Sequence, residues 1–251
     1  MENFRKKSLG QCFLEDKNIL ALEAKLAHIT GKRALEIGPG DGRLTEALLA
    51  EKPEKLFAVE MDPRFATALR EKFANETKTG IIEIIEGDFL EVKIPGVDIV
   101  IGNIPYYISS DIVFTLAKLP IERAVLMVQK EFAMKMVAKA GDDNYGRLSV
   151  TAQLAFDVRI ERKVPAHLFI PMPKVDSAII VLKPTGFRIS ALQENVIRAL
   201  YQHKNKTARN ALIYSKMFET KDLEEKLGNF VKRRARTLTK EECLEISNLL
   251  A

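Results

Sequence analysis

The 251-residue chain is poor in the residues that staple a fold or bind metal: it has two cysteines and three histidines. Cys12 and Cys243 are too few and too far apart for a disulfide framework or a metal-ligand set, which fits a reducing compartment. His167 and His203 lack Cys or acidic partners at ligand spacing, and His28 sits in a helical stretch as a structural residue, so no metal is expected. No apolar run approaches the ~18 residues of a membrane span. The N-terminus opens on charged residues without an apolar core of signal-peptide length, so a cytoplasmic location is expected. Two phosphate-binding signatures are also missing. There is no G-x-x-x-x-G-K-S/T, and the third glycine of G-x-G-x-x-G is replaced by Arg43. No repeat or low-complexity segment stands out.

What is present is an uneven positive charge. The net charge is +5, and basic residues gather at Arg5, Lys6 and Lys7 and again in the last quarter. There Lys204, Lys206 and Arg209 precede Lys232, Arg233, Arg234 and Arg236. Clusters at both ends suit a polyanion, nucleic acid by default. Any one of them also reads as a solvated helix face.

From Arg33 to about Pro184, short apolar runs alternate with amphipathic ones. Residues 34–37, 56–61, 81–85, 97–101 and 124–128 read as strands, and 44–50, 65–73, 111–119 and 131–139 as helices. That rhythm predicts βαβ units around a parallel sheet. Residues 149–160 and 177–182 read as two further strands, an antiparallel hairpin at one edge. Between them lies a stiff, proline-bearing linker, residues 169–177. After Gly186 the pattern turns helical to the end. The expected domains are therefore 1–186 and 187–251, the second short for a core of its own and expected to pack on the first.

Chemistry concentrates at the C-terminal ends of the predicted strands. Gly38-Pro39-Gly40-Asp41-Gly42 follows the first strand and opens a helix, so backbone N–H groups can face a ligand. A plain tight turn would look the same. Glu60, about 20 residues beyond the loop and followed by Met61, suits a ribose diol. Asp88 can accept from an adenine amino group while Phe89 or Met61 covers the ring. Asn103-Ile104-Pro105-Tyr106 ends the next strand. The Asn amide oxygen can accept from an exocyclic amine, Pro105 can aim the Ile104 carbonyl at the same group, and Tyr106 offers a stacking face. A helix-capping turn before Ser109 is the alternative for this tetrapeptide. Taken together, four strand tips facing one crevice supply a nucleoside cofactor site beside an amine clamp. S-adenosylmethionine fits that set without the missing phosphate-binding features.

With these residues in view, the sequence resembles the small-subunit ribosomal RNA adenine dimethyltransferases over nearly its whole length, especially their archaeal and eukaryotic branch. Residues 7–14, including Gln11, Cys12 and Leu14, resemble the family's N-terminal motif over the methionine end of the cofactor. Residues 36–45 match its cofactor loop, and 129–132 follow the fifth strand as in the family. Residues 171–178 resemble its late motif, and residues 202–204 and 209–212 its tail. Cys12 departs from the family, which usually has Asn or His there.

The resemblance implies a Rossmann-like S-adenosylmethionine methyltransferase sheet, mostly parallel with an antiparallel edge hairpin, plus a small all-helical C-terminal domain. It implies dimethylation of N6 on two adjacent adenosines near the 3′ end of small-subunit rRNA, within a pre-30S or pre-40S type of particle. Asn103 and the Ile104 carbonyl would hold the amine, Pro105 would set the turn, and Tyr106 and Phe169 would sandwich a flipped base. Phe169 beside prolines also reads as core. Gln11, Cys12, Leu14, Gly38, Gly40, Glu60, Met61, Asp88, Phe89 and Asn103 would bind cofactor. Lys204, Lys206, Arg209, Arg233, Arg234 and Arg236 would contact RNA phosphates. A monomer is expected, with no membrane partner. Two other readings share much of this pattern: a large-subunit rRNA adenine methyltransferase of the resistance type, and a non-catalytic assembly or transcription-factor-like paralogue.

Overall fold

The computed structural model describes residues 12–218 and 221–251. The strands are β1 (Phe13–Leu14), β2 (Arg33–Ile37), β3 (Lys55–Glu60), β4 (Ile82–Glu86), β5 (Ile99–Asn103), β6 (Arg123–Gln129), β7 (Phe156–Val164), β8 (Phe169–Ile170) and β9 (Ser177–Pro184). The helices are α1 (Lys17–Ala27), α2 (Arg43–Ala50), α3 (Pro63–Lys72), α4 (Ala74–Lys78), α5 (Ser109–Leu116), α6 (Lys130–Val137), α7 (Arg147–Ala155), α8 (Ala191–Gln202), α9 (Ala208–Ser215), α10 (Leu223–Leu227) and α11 (Lys240–Leu249). Among the described residues, no helix is long and apolar enough to cross a membrane.

Seven strands form one sheet in the order β4-β3-β2-β5-β6-β9-β7. The pairs β4–β3, β3–β2, β2–β5 and β5–β6 are parallel, and β6–β9 is antiparallel. The strand order reverses between β2 and β5, and a crevice opens outside the strand ends at such a switch point. The central strands are buried through most of their length, β6 from Ala124 to Val128 and β9 from Ser177 to Leu182, as their continuous apolar runs require. Gly102 brings β2 and β5 close just before that crevice. A Cβ there would lie 2.7 Å from the Ile37 carbonyl oxygen. The separate strands β1 and β8 pair antiparallel, Leu14 opposite Phe169. This joins the start of the described chain to the proline-bearing linker.

The chain divides into two compact units. One comprises residues up to Ala133 with Arg159–Pro184, and the other Met134–Val158 with Thr185–Ala251. The break after Pro184 falls two residues before the boundary expected at Gly186, but residues 134–158 group with the tail. The reason is a second apolar core. Val196, Leu200, Leu212 and Ile246 are buried there together with Ala138, Tyr145, Val150 and Leu154. The tail, short for a core of its own, completes one with these earlier residues.

The same packing corrects the expected strand at 149–160. Residues Arg147–Ala155 are helical, and only from Phe156 is the chain extended. Ser149, Val150, Ala152, Leu154 and Ala155 are buried on this helix. Ser149 Oγ accepts from Gly146 N–H at 3.1 Å and donates to the Lys135 carbonyl at 2.6 Å. Burial and capping outweigh the strand preference of Val150 and Thr151.

Candidate active site

A cavity of about 470 Å³ lies in the first unit at the C-terminal ends of β2, β3, β4 and β5. That volume is in the range of cofactor sites. Its floor begins with the glycine loop. Gly40 has φ +56°, and a Cβ on it would lie 2.8 Å from Phe13 Cε1. The loop backbone therefore comes up against β1, and Gly38 and Gly40 both line the cavity. Arg43, which stands where a dinucleotide fingerprint would place glycine, donates from Nη1 to the Leu14 carbonyl at 3.2 Å and pairs with Asp41.

Glu60 is buried at the end of β3 with its carboxylate turned to the loop. Oε2 accepts from Gly40 N–H and Oε1 from Asp62 N–H, both at 2.9 Å. Each oxygen keeps a lone pair for a hydroxyl donor. Burial pushes its pKa up, and backbone donors at Asp62, Gly40 and Met61 oppose that rise. Glu36, in the middle of β2, is fully enclosed and accepts from Thr45 Oγ1 at 2.7 Å. Burial lifts its carboxyl to about 8.

The apolar walls come from Phe89, buried, and Met61, half exposed. Asp88 Oδ1 accepts from Leu90 N–H at 2.9 Å, which fixes the carboxylate in the turn after β4. On the other side stand Asn103, Ile104, Pro105 and Tyr106. Ile104 is anchored through its N–H to the Met127 carbonyl at 3.2 Å. Tyr106 opens a short 3-10 turn, and its hydroxyl lies 2.9 Å from Ser177 Oγ. Helix α5 starts at Ser109 without a side-chain cap, so Asn103 is not its cap. Tyr107 is 65% exposed. Phe169 is 5% exposed, packs in the core and also lines the cavity. Cys12 and Leu14 complete the wall, and burial holds the Cys12 thiol above its ordinary pKa, so it is not a ready nucleophile. Gln11 lies outside the described residues.

The site residues expected from sequence among the described part of this unit thus share one cavity. Phe13, Glu36 and Ser177, which the sequence reading placed within motifs but gave no individual role, also line it, and Glu23 behind Asn103 was missed. Ser177 belongs to the late motif, and Glu23 announces itself as an acid on the apolar stripe Ile19, Leu20, Ala24 and Ala27 of α1.

The cavity suits S-adenosylmethionine on its own features. The loop backbone is free of side chains at Gly38 and Gly40, a buried carboxylate stands at the β3 tip, and Phe89 and Met61 offer apolar surface for a purine. Among the described residues, no group of His, Cys, Asp and Glu has the arrangement to hold a metal.

The six basic residues expected to meet RNA lie in the second unit. Backbone hydrogen bonds join residues 204–208 to 233–236: Ala208 N–H to the Arg233 carbonyl at 2.7 Å, Ala235 N–H to Lys206 at 3.0 Å and Arg236 N–H to Lys204 at 2.9 Å. The two clusters are therefore one. Several of their charges are engaged within the unit. Arg233 pairs with Glu242 through both nitrogens, Arg209 with Glu224, Arg236 with Asp143, and Lys204 Nζ donates to the Asp143 carbonyl. Lys206 and Arg234 are exposed, with Lys206 Nζ 5.7 Å from the Tyr214 ring centre.

Comparison with known proteins agrees with this architecture. The family described as "Ribosomal RNA adenine dimethylase" matches residues 2–251. A "Probable ribosomal RNA small subunit methyltransferase A" of Pyrococcus abyssi is 42% identical over 205 residues, 81% of this chain and 74% of that one. The protein of that name from Thermococcus gammatolerans is 38% identical over 248 residues, covering 96% and 87%. Among solved structures, a dimethyladenosine transferase from Plasmodium falciparum superposes with TM-score 0.80 at 29% identity, over 93% of this chain and 95% of that one. The 23S rRNA methyltransferase ErmE gives 0.70 at 30% identity, over 95% and 99%.

Proposed function

Because this chain belongs to the ribosomal RNA adenine dimethylase family, we propose that it dimethylates N6 of two adjacent adenosines near the 3′ end of small-subunit rRNA, using S-adenosylmethionine. The observation that carries this is the single cavity shared by Glu60, Asp88 and the Asn103–Tyr106 turn. When bound, the cofactor supplies a methyl group already activated on a sulfonium.

The residues supply the rest. The Glu60 carboxylate would hold the cofactor's ribose beside the glycine loop, whose Gly38, Gly40 and Gly42 N–H groups, expected from sequence to face a ligand, instead donate to the Val59 carbonyl, Glu60 Oε2 and the Pro39 carbonyl. Asp88 would accept from its adenine amino group, and Phe89 and Met61 would offer the apolar surface for its ring. Asn103 Oδ1 and the Ile104 carbonyl accept from the target amine, which favours a pyramidal nitrogen with its lone pair directed at the methyl. Orientation and electrostatics in a dry pocket then account for most of the rate. No strong base is needed, since the proton can leave after transfer. Tyr106 and Phe169 hold the flipped base, with the Tyr106 hydroxyl tied to Ser177. The second methylation starts with one fewer N–H, so the pocket must also accept monomethyladenine.

Lys206 and Arg234, with the neighbouring basic residues, bind RNA phosphates, so recognition rests on RNA shape. The working context is a cytoplasmic pre-30S or pre-40S type of particle, with the protein acting as a monomer.

Small-subunit identity is supported by the curated relatives. The test is transfer of labelled methyl to purified 30S and 50S particles that lack the modification. Dimethyladenosine in 30S RNA alone is expected. Label in 50S RNA instead would reassign the substrate to the large subunit.

A further inference from the structure

Helix α1 is capped by Asp16, whose Oδ1 accepts from Asn18 and Ile19 N–H, and it buries Ile19, Leu20, Glu23, Ala24 and Ala27. A carboxylate in the middle of an apolar stripe is costly unless it is well partnered. Glu23 is 0% exposed and lies outside the cavity wall. Its partner is Asn103. Hydrogen-bond chemistry assigns the amide nitrogen to this side, where Nδ2 donates to Oε1 at 2.8 Å and to Oε2 at 3.0 Å. An amide has one nitrogen and one oxygen on opposite arms. With Nδ2 held from behind, Oδ1 is the arm left for the cavity.

We propose that Glu23 is a positioning residue: by accepting from Asn103 Nδ2 it turns Asn103 Oδ1 toward the amine to be methylated. The opposite orientation would present N–H groups to an amine that itself needs an acceptor. The inference rests on the proposed role of Asn103.

The arrangement carries a pH dependence. Ionised Glu23 can only accept, so it selects the productive amide orientation. A protonated Glu23 can donate to Asn103 Oδ1 and stabilise the reverse one. Among the charged groups on elements beside α1, Arg43 pairs with Asp41 and Glu46 with Lys72, and Arg123 Nη1 donates to the Leu26 carbonyl at 2.9 Å. Glu36 on β2 is the charge that acts on Glu23. Burial and Glu36 both raise the Glu23 pKa, and the bond from Asn103 opposes them. Activity should therefore fall on the acid side as Glu23 takes up its proton.

The experiment compares wild type, Glu23→Gln and Glu23→Leu, each checked for folding. Measured quantities are kcat against pH, KM for RNA, cofactor affinity, and the Asn103 side-chain NH2 resonances in ¹⁵N-asparagine-labelled protein without RNA. For Glu23→Gln, kcat should fall about ten- to a hundredfold while KM and cofactor affinity stay within about twofold. The acid limb of kcat should vanish, and the Asn103 resonances should move and lose their pH dependence. Glu23→Leu should lose at least as much kcat. Glu36→Gln should keep the limb. Wild-type kcat and an unchanged pH profile in folded Glu23→Gln would overturn the proposal. So would Asn103 resonances indifferent to the substitution. A wild-type protein that transfers no methyl would instead overturn the functional reading, with the resonances still deciding the Glu23–Asn103 pairing.

Discussion

Tyr106 Oη and Ser177 Oγ lie 2.9 Å apart, which ties the turn after β5 to the first residue of β9. Seventy-one positions separate them in sequence. The bond holds the ring that is proposed to stack on the target base. Ser177→Ala and Tyr106→Phe should each lower kcat/KM about two- to fivefold, and the double variant should lose little more than either alone. Tyr106→Ala should cost more, about ten- to a hundredfold, because the stacking face itself is gone. Steady-state kinetics on the four proteins checks this. Full additivity of the two mild variants would show that the hydroxyls act separately.

Glu60 serves two purposes, holding the loop and facing the cofactor. Glu60→Ala leaves the N–H groups of Gly40 and Asp62 without their acceptor, at about 1–3 kcal/mol of stability, and removes the ribose acceptor. Cofactor affinity by calorimetry should fall at least tenfold, with a lowered Tm. A variant with wild-type affinity would remove Glu60 from the site.

The two close approaches at glycine differ in what they meet. At Gly102 an added methyl meets the Ile37 backbone at 2.7 Å, whereas at Gly40 it meets the end of the Phe13 ring at 2.8 Å. Backbone cannot rotate away, and a side chain can. Gly102→Ala should destabilise the fold by about 2–4 kcal/mol. Gly40→Ala, strained by φ +56°, should cost about 1–2 kcal/mol and mainly reduce cofactor affinity. Chemical denaturation and calorimetry separate the two.

Glu36 gives a stability signature. Its folded pKa of about 8 stands above the ordinary 4.5. The folded state therefore holds a proton that the unfolded state releases as pH rises. The stabilising contribution is complete below about 4.5 and is lost on the way to about 8. Between pH 5 and 9 the wild-type Tm should fall by on the order of 5 °C more than that of Glu36→Gln. Parallel curves for the two proteins would contradict the assignment to Glu36.

Much of this fold could be read from the chain, for a physical reason. Parallel strands are buried on both faces, so β3, β5 and β6 appear as unbroken apolar runs, and the polar residues that end them stand out. That is why the strand tips bearing Glu60, Asp88 and Asn103 could be placed around one crevice. Helix α7 could not be read, because Val150 and Thr151 favour a strand and the helix depends on burial among residues far along the chain. Glu23 stood on the apolar stripe of α1, but its role could not be read because its partner lies eighty positions away. The ion pairs of Arg209 with Glu224 and of Arg233 with Glu242 were equally invisible, so the basic tail read as freer than it is.

The most direct measurement follows N6,N6-dimethyladenosine by nucleoside analysis after wild-type protein and Asn103→Ala are incubated with S-adenosylmethionine and unmodified 30S particles. Wild type should form it. Asn103→Ala should form it at least a hundredfold more slowly while binding the cofactor with similar affinity. Equal rates in the two proteins, or methyl found on any atom other than adenine N6, would contradict the assignment of this cavity.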